Sequence, residues 1–176
     1  MQSTGWLLVA ACFALGGCSR EPEWQPLPAQ LRFQPDKEPL LLGMNFRTQD
    51  MHAENHIVRG TLPEGPGAQW RWANPELELR FQLVESKQAW FYLDIVLADA
   101  VYKTTGPVTF HFWIDDHEFA TTTVTGAGPH HLEFPVPVSL TTAALPIAVK
   151  VVADKYLQAE DKVKLAYLLV GGGFKQ

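Results

Sequence analysis

The chain has 176 residues, with 14 Lys and Arg against 19 Asp and Glu, and a net charge of −5. That length predicts one domain. The charge excludes nucleic acid as the main partner, because phosphate binding needs clustered Lys and Arg and no such cluster occurs.

The N-terminal stretch carries the first signal. Trp6 to Leu15 is apolar. The run is about ten residues, too short for a bilayer span of ~20 and of the right length for a signal h-region. It ends in Leu15-Gly16-Gly17-Cys18. A leucine, two small residues and a cysteine resemble the lipobox of bacterial lipoproteins. The resemblance implies a signal peptide over residues 1–17, cleavage before Cys18, and a diacylglycerol on the Cys18 thiol. Val9-Ala10-Ala11-Cys12 is a rival box with a shorter apolar run before it. The alternative is an ordinary buried strand or helix. Met1 to Gly5 contains no Lys or Arg, which departs from the usual basic n-region. Ser19 resembles the outer-membrane sorting pattern, so the expected address is the bacterial cell envelope, lipid-anchored at the outer membrane and facing the periplasm. Cys12 and Cys18 are the two cysteines. A mature domain would have no disulfide, so a packed core must hold it.

Residues 18–39 read as the lipidated cysteine and a Pro-rich tether. Pro22, Pro26, Pro28, Pro35 and Pro39 interrupt helix and central strand alike. Extended at ~3 Å per residue, the segment reaches roughly 60 Å. Trp24, Leu31 and Phe33 are apolar enough to dock as an edge strand.

Residues 40–176 read as the folded domain. Leu40 to Phe46 is strand-like, Arg47 to Gly60 polar and irregular, and Leu62 to Gly67 a Pro- and Gly-rich loop. After Trp70-Arg71-Trp72, period-two alternation takes over. Leu77, Leu79, Phe81 and Leu83 face one way, with Glu78, Arg80 and Gln82 between them. Phe91, Leu93, Ile95 and Leu97 repeat the pattern, as do Val108, Phe110, Phe112 and Ile114. Asp115-Asp116-His117 suits a hairpin turn, and Phe119 to Val124 returns, rich in Thr. Leu132, Phe134, Val136 and Val138 alternate with Pro135 and Pro137, which predicts an edge strand. Ile147, Val149 and Val151 follow, then Val163, Leu165, Tyr167 and Leu169. Ala153 to Glu160 has room for one helical turn. Eight or nine short strands with no long helical period predict an all-β fold, a single antiparallel β-sandwich.

The layout from Phe46 onward resembles galactose-binding-like jelly-roll modules. The residues that carry the likeness are Glu54, Arg71-Trp72, Leu77 to Leu83, Phe110 to Phe119, and Asp161 to Leu169. The hairpin turn is Asp115-Asp116 where those modules use Asn-Gly or Asp-Gly. The resemblance implies a jelly-roll sandwich and assigns no ligand-binding residue.

Several constellations invite a chemical reading. His52 and His56 stand four apart, but a zinc-protease helix needs Glu directly after the first His, and Glu54 is one place late. A deaminase reading of His-x-Glu needs downstream Cys ligands that the sequence lacks. The segment therefore reads as a solvated loop. Asp115-Asp116-His117-Glu118 holds oxygen ligands suited to calcium, though a charged hairpin turn needs no metal. His130-His131 follows a Gly-Pro turn, and one of the pair is expected to face solvent. There is no Gly-x-Ser-x-Gly elbow. Gly171-Gly172-Gly173 lies near the C-terminus with no helix after it, so it is no phosphate loop. No catalytic residue, metal or cofactor is expected.

The aromatic pattern is more informative. If Phe91 and Phe112 face the core, Trp90, Tyr92, His111 and Trp113 face away. Were the two strands neighbours, these four would form one exposed patch. Exposed apolar patches mark partners, and flat aromatics suit sugar faces or protein anchors. Loops, the tether or another subunit are the alternative cover. The expectation is a non-catalytic binding or assembly module on a membrane lipid anchor, with an envelope protein or glycan as partner. Glycan stacking on the aromatics is the first alternative and an accessory hydrolase the second.

Overall fold

The computed structural model describes residues 41–64, 67–142, 145–159 and 162–176. Cys18 and the Pro-rich segment lie outside the described residues. The described chain belongs to one unit and is an antiparallel β-sandwich with eleven strands and two short helices.

In chain order the elements are β1 (Asn45–Arg47), α1 (Ala53–His56), β2 (Ile57–Thr61), β3 (Arg71–Phe81), β4 (Ala89–Leu97), α2 (Asp99–Thr105), β5 (Val108–Ile114), β6 (His117–Val124), β7 (Gly128–Val136), β8 (Ile147–Ala153), β9 (Leu157–Gln158), β10 (Lys164–Leu165) and β11 (Tyr167–Lys175). The paired path is β6-β5-β8-β3-β11-β4-β7, with β1 added on β11 and β2 on β3.

The path folds into two layers because β3 changes partner along its length. Arg71 to Ala73 pair with β11, and Glu76 to Phe81 pair with β8. Asn74-Pro75 lies between the two halves. A proline has no N–H to donate, so its place is where a ladder breaks. One layer is β2-β3-β8-β5-β6 and the other β1-β11-β4-β7.

The inward positions are those the alternation marks. Leu77, Leu79 and Phe81 on β3, Phe91 to Leu97 on β4, and Phe110 and Phe112 on β5 are fully buried at every second residue. Rings meet across the layers. Phe91 lies 6.0 Å from Phe112, Phe112 4.8 Å from Phe134, and Phe110 5.2 Å from Tyr167, centroid to centroid. Each buried Phe or Leu contributes about 1.5–3 kcal/mol by leaving water.

Several expectations need correction. Of the strand expected over Leu40 to Phe46, Leu41 to Met44 are not strand, and β1 begins only at Asn45. Residues 47–60 contain α1 and β2. β2 does not alternate because its register slips twice against β3, so no period was visible. α2 is seven residues long with no side-chain N-cap and only Val101 buried, too little for a helical stripe. Gly106 ends it at φ 69°. Where a helical turn was expected over 153–160, Ala153 ends β8 and Leu157–Gln158 form β9, paired with β10. Val138 is half exposed in a 3-10 turn beyond β7. Gly171 to Gly173 belong to β11, between β1 and β4.

Candidate functional site

The proposed single aromatic patch is divided by the topology. β4 pairs with β11 and β7, and β5 with β6 and β8, so the two strands are not neighbours. Their inward rings, Phe91 and Phe112, touch across the core. Their outward side chains must therefore leave the sandwich on opposite faces. Trp90 and Tyr92 stand on one, His111 and Trp113 on the other. Counting periods within a strand orients each side chain but cannot say which sheet the strand joins.

On the β5 face, Lys150 covers Trp113, its Nζ 5.3 Å from the ring centroid. His111 Nδ1 lies 2.7 Å from Glu118 Oε1, and the Thr121 hydroxyl donates to the same carboxylate. The Thr121 hydroxyl and then His111 hold Glu118 below the usual carboxylate range. These residues satisfy one another.

The β4 face is more open. Trp90 is 46% exposed. Register places Lys175 and Pro135 beside Trp90, Gly173 and Glu133 beside Tyr92, and Gly171 and His131 beside Asp94. Lys175 Nζ sits 5.1 Å from the Tyr92 ring centroid and 2.7 Å from Glu133 Oε2. Glu133 Oε2 is also 2.9 Å from His131 Nε2, and His131 Nδ1 is 2.6 Å from Asp94 Oδ1. Both ring nitrogens thus face carboxylates, an arrangement that requires both to donate. The Asp94 and then the Glu133 hydrogen bond raise the His131 pKa above its ordinary value. Lys175 and then His131 lower that of Glu133. Burial raises that of the Tyr92 phenol.

Two depressions open on this face. One, of about 400 Å³, has Trp90 as an apolar wall, with Gln88, Glu133, Lys175 and Gln176 as hydrogen-bonding groups. The other, of about 410 Å³, is lined by Arg47, Asp94, Pro129 and His131 among others. Asp94, Glu133 and His131 occupy outward positions of alternating strands, but only His131 stood out in the sequence, as one of a pair of which one member faces solvent. Arg47, Gln88, Lys175 and Gln176 carry no periodic signal, being at strand ends that only the fold brings together.

The remaining motifs have structural roles. His56 is buried and stacks on Phe46, centroids 5.0 Å apart at 8°. Its Nδ1–H donates to the Arg80 carbonyl at 3.0 Å, and the Gly43 amide donates to Nε2 at 3.5 Å. Burial lowers its pKa. The segment is therefore a helical turn with a core histidine and not the solvated loop expected. Glu54 pairs with the buried Arg71 at 2.5 Å, so two of the residues that carry the jelly-roll likeness are in contact. Asp115 and Asp116 form the hairpin turn, Asp115 at φ 52°. His131 is the half-exposed member of its pair. Among the described residues no group of three or more His, Cys, Asp or Glu is placed to hold a metal ion.

No family model matches the sequence, and no curated protein matches it. Solved structures do resemble the domain. A family GH115 4-O-methyl-α-glucuronidase with specificity for decorated arabinogalactans superposes on 77% of this chain with a TM-score of 0.50 at 8% identity; the match spans 18% of that enzyme. A carbohydrate-binding module from Cellvibrio mixtus lichenase 5A, solved with cellotriose, covers 77% of this chain and 98% of its own at a TM-score of 0.43 and 8% identity. A module of family CBM36, solved with calcium and xylotriose, covers 74% and 98% at 0.42 and 14%. At such identities the glucuronidase likeness establishes the fold alone: this chain is similar to jelly-roll β-sandwich domains.

Proposed function

We propose that this protein is a non-catalytic glycan-binding module of the bacterial cell envelope, tethered to the membrane through a lipidated Cys18. The observation that carries the binding reading is the β4 face. Trp90 presents a half-exposed indole beside a depression of about 400 Å³ whose other walls are amides, a carboxylate and an ammonium. A pyranose has one apolar C–H face and a rim of hydroxyls. An indole supplies the stacking partner, and Gln88, Glu133, Lys175 and Gln176 supply donors and acceptors. Trp90, Glu133 and Lys175 stand on strands, which hold them rigid.

Binding is favoured over hydrolysis by the state of the carboxylates. A glycosidase needs one carboxylic acid kept protonated by a raised pKa. Glu133 is instead drawn below the usual carboxylate range by Lys175 and then His131.

The test is a glycan array probed with the full chain and with Trp90→Ala. Retention should fall about tenfold or more in the variant, the counterpart of ~1.4 kcal/mol, with an unchanged melting temperature. A variant that binds like the wild type, or a wild type that retains no glycan, would sink the reading.

A further inference from the structure

His131 and Glu133 stand on one face but line different depressions. Glu133 is a wall of the one beside Trp90, and His131 a wall of the other. His131 therefore reaches the Trp90 depression only through Glu133. Glu133 Oε2 accepts from His131 Nε2–H at 2.9 Å and from Lys175 Nζ at 2.7 Å. Two donors, one on β7 and one on β11, thus converge on a single oxygen. Among the described residues no hydrogen bond reaches Glu133 Oε1. One oxygen anchors the carboxylate, and the other is left to accept from a ligand hydroxyl. With one donor the carboxylate turns about that contact; with two it keeps one orientation.

The second donor depends on a proton. His131 Nδ1–H donates to Asp94 Oδ1 at 2.6 Å, so the ring cannot turn without breaking a contact. A neutral imidazole has a proton on one nitrogen and a lone pair on the other. Only the imidazolium donates to both carboxylates. Once it loses a proton, a lone pair faces a carboxylate oxygen. The shorter contact, to Asp94, keeps the remaining proton, and the contact to Glu133 is the one broken. The other groups around the ring come from four strands. Tyr92 of β4 lies 5.7 Å away between centroids, Lys175 projects from β11, and Arg47 of β1 and His130 of β7 line the same depression. His130 is engaged elsewhere, its Nε2 at 2.8 Å from the Gly126 carbonyl oxygen. The two carboxylates outweigh Lys175 and favour the charged ring.

We propose that His131 is a positioning residue of the Trp90 site: as imidazolium it holds Glu133 in place for the ligand, and affinity falls when it deprotonates. This rests on the glycan reading and adds its regulation. Retention is full at the acid side of the His131 titration and weak at the alkaline side. By reciprocity, a bound glycan favours the imidazolium and moves its titration to higher pH.

An array printed with neutral and acidic oligosaccharides, scanned at about pH 6 and about pH 9, tests this on either side of the His131 titration. Wild-type retention should fall about tenfold across that range, the equivalent of one charge-assisted hydrogen bond. His131→Gln has no proton to lose, so it should bind at both pH values as weakly as the wild type does at the higher one. Trp90→Ala should be weak throughout. In NMR of the unliganded wild type, the His131 ring and the Glu133 carboxyl should share one midpoint. The retained glycan should move that midpoint upward. A flat wild-type profile, or a profile that His131→Gln leaves unchanged, would overturn the inference, while Trp90-dependent retention would keep the glycan reading standing. A Glu133 carboxyl blind to the His131 step would overturn it as well; this measurement needs no variant and decides even where His131→Gln fails to fold. No retention of any glycan at either pH would remove both.

Discussion

His131 and His56 show how one residue type is driven in opposite directions by its surroundings. His131 lies half exposed between the Asp94 and Glu133 carboxylates, and the Asp94 hydrogen bond leads in raising its pKa. Its unfolded value is ~6.5. The stabilisation from its ion pairs is therefore fully present below that pH and lost as pH rises through the raised folded value. The stability difference between wild type and His131→Gln should be largest near pH 6 and close at alkaline pH, and the imidazole should titrate late by NMR. A difference that stays constant from about pH 5 to about pH 9 would show that the pairs contribute nothing. His56 has the reverse sign. Burial depresses its pKa, so its contribution is present above ~6.5 and lost as pH falls through the folded value. Trp90 was legible in the sequence as an outward aromatic, because alternation on β4 leaves it no other side. The pairing of His131 with Asp94 was not, because the two stand on different strands, 37 residues apart in the chain.

At the scale of elements, β11 has the strongest demands on its sequence. It lies between β4 and β1, with its N-terminal end on β3. At Gly171 a Cβ would sit 2.6 Å from the Phe46 carbonyl oxygen and 3.3 Å from Arg47 Cα. Real side chains do not approach backbone so closely, so β1 can pair here only against glycine. Gly171→Ala should cost about 1–3 kcal/mol, as overpacking does, read from the denaturant midpoint. Gly126→Ala is the control, since nothing lies within 4 Å of its would-be Cβ; it should stay within about 0.5 kcal/mol. Equal effects at both sites would refute the close-approach account. The triple glycine looked like a terminal tail because glycine lowers strand propensity. The reason for it is a neighbouring strand that sequence alone does not place.

On the scale of the whole molecule, the sandwich leaves two outward faces with different fates. One is satisfied internally, with Trp113 under Lys150 and His111 on Glu118. The other keeps Trp90 open. The lipid tether proposed at Cys18 would anchor the domain to a membrane. Cys18→Ala should release the protein from the membrane fraction or stall its processing, with the unfolding transition unchanged. Intact mass of the protein from host membranes reads the same point. An unmodified full-length mass would mean that the N-terminal stretch is no anchor.

The sequence by itself determined the class of fold and which residues point inward. Alternation with period two is a local property, written wherever one face of a strand meets a core and the other meets water. It marked β3, β4, β5 and β8 and the buried apolar positions on each. Tertiary structure alone decided which strands are neighbours. That choice turned one supposed patch into two opposite faces, brought Lys175 from the end of β11 to Glu133 of β7, and made His56 part of the core. Strand order depends on where β3 exchanges β11 for β8 at Asn74-Pro75. Pairings of this kind join residues far apart in the chain, and no local period encodes them.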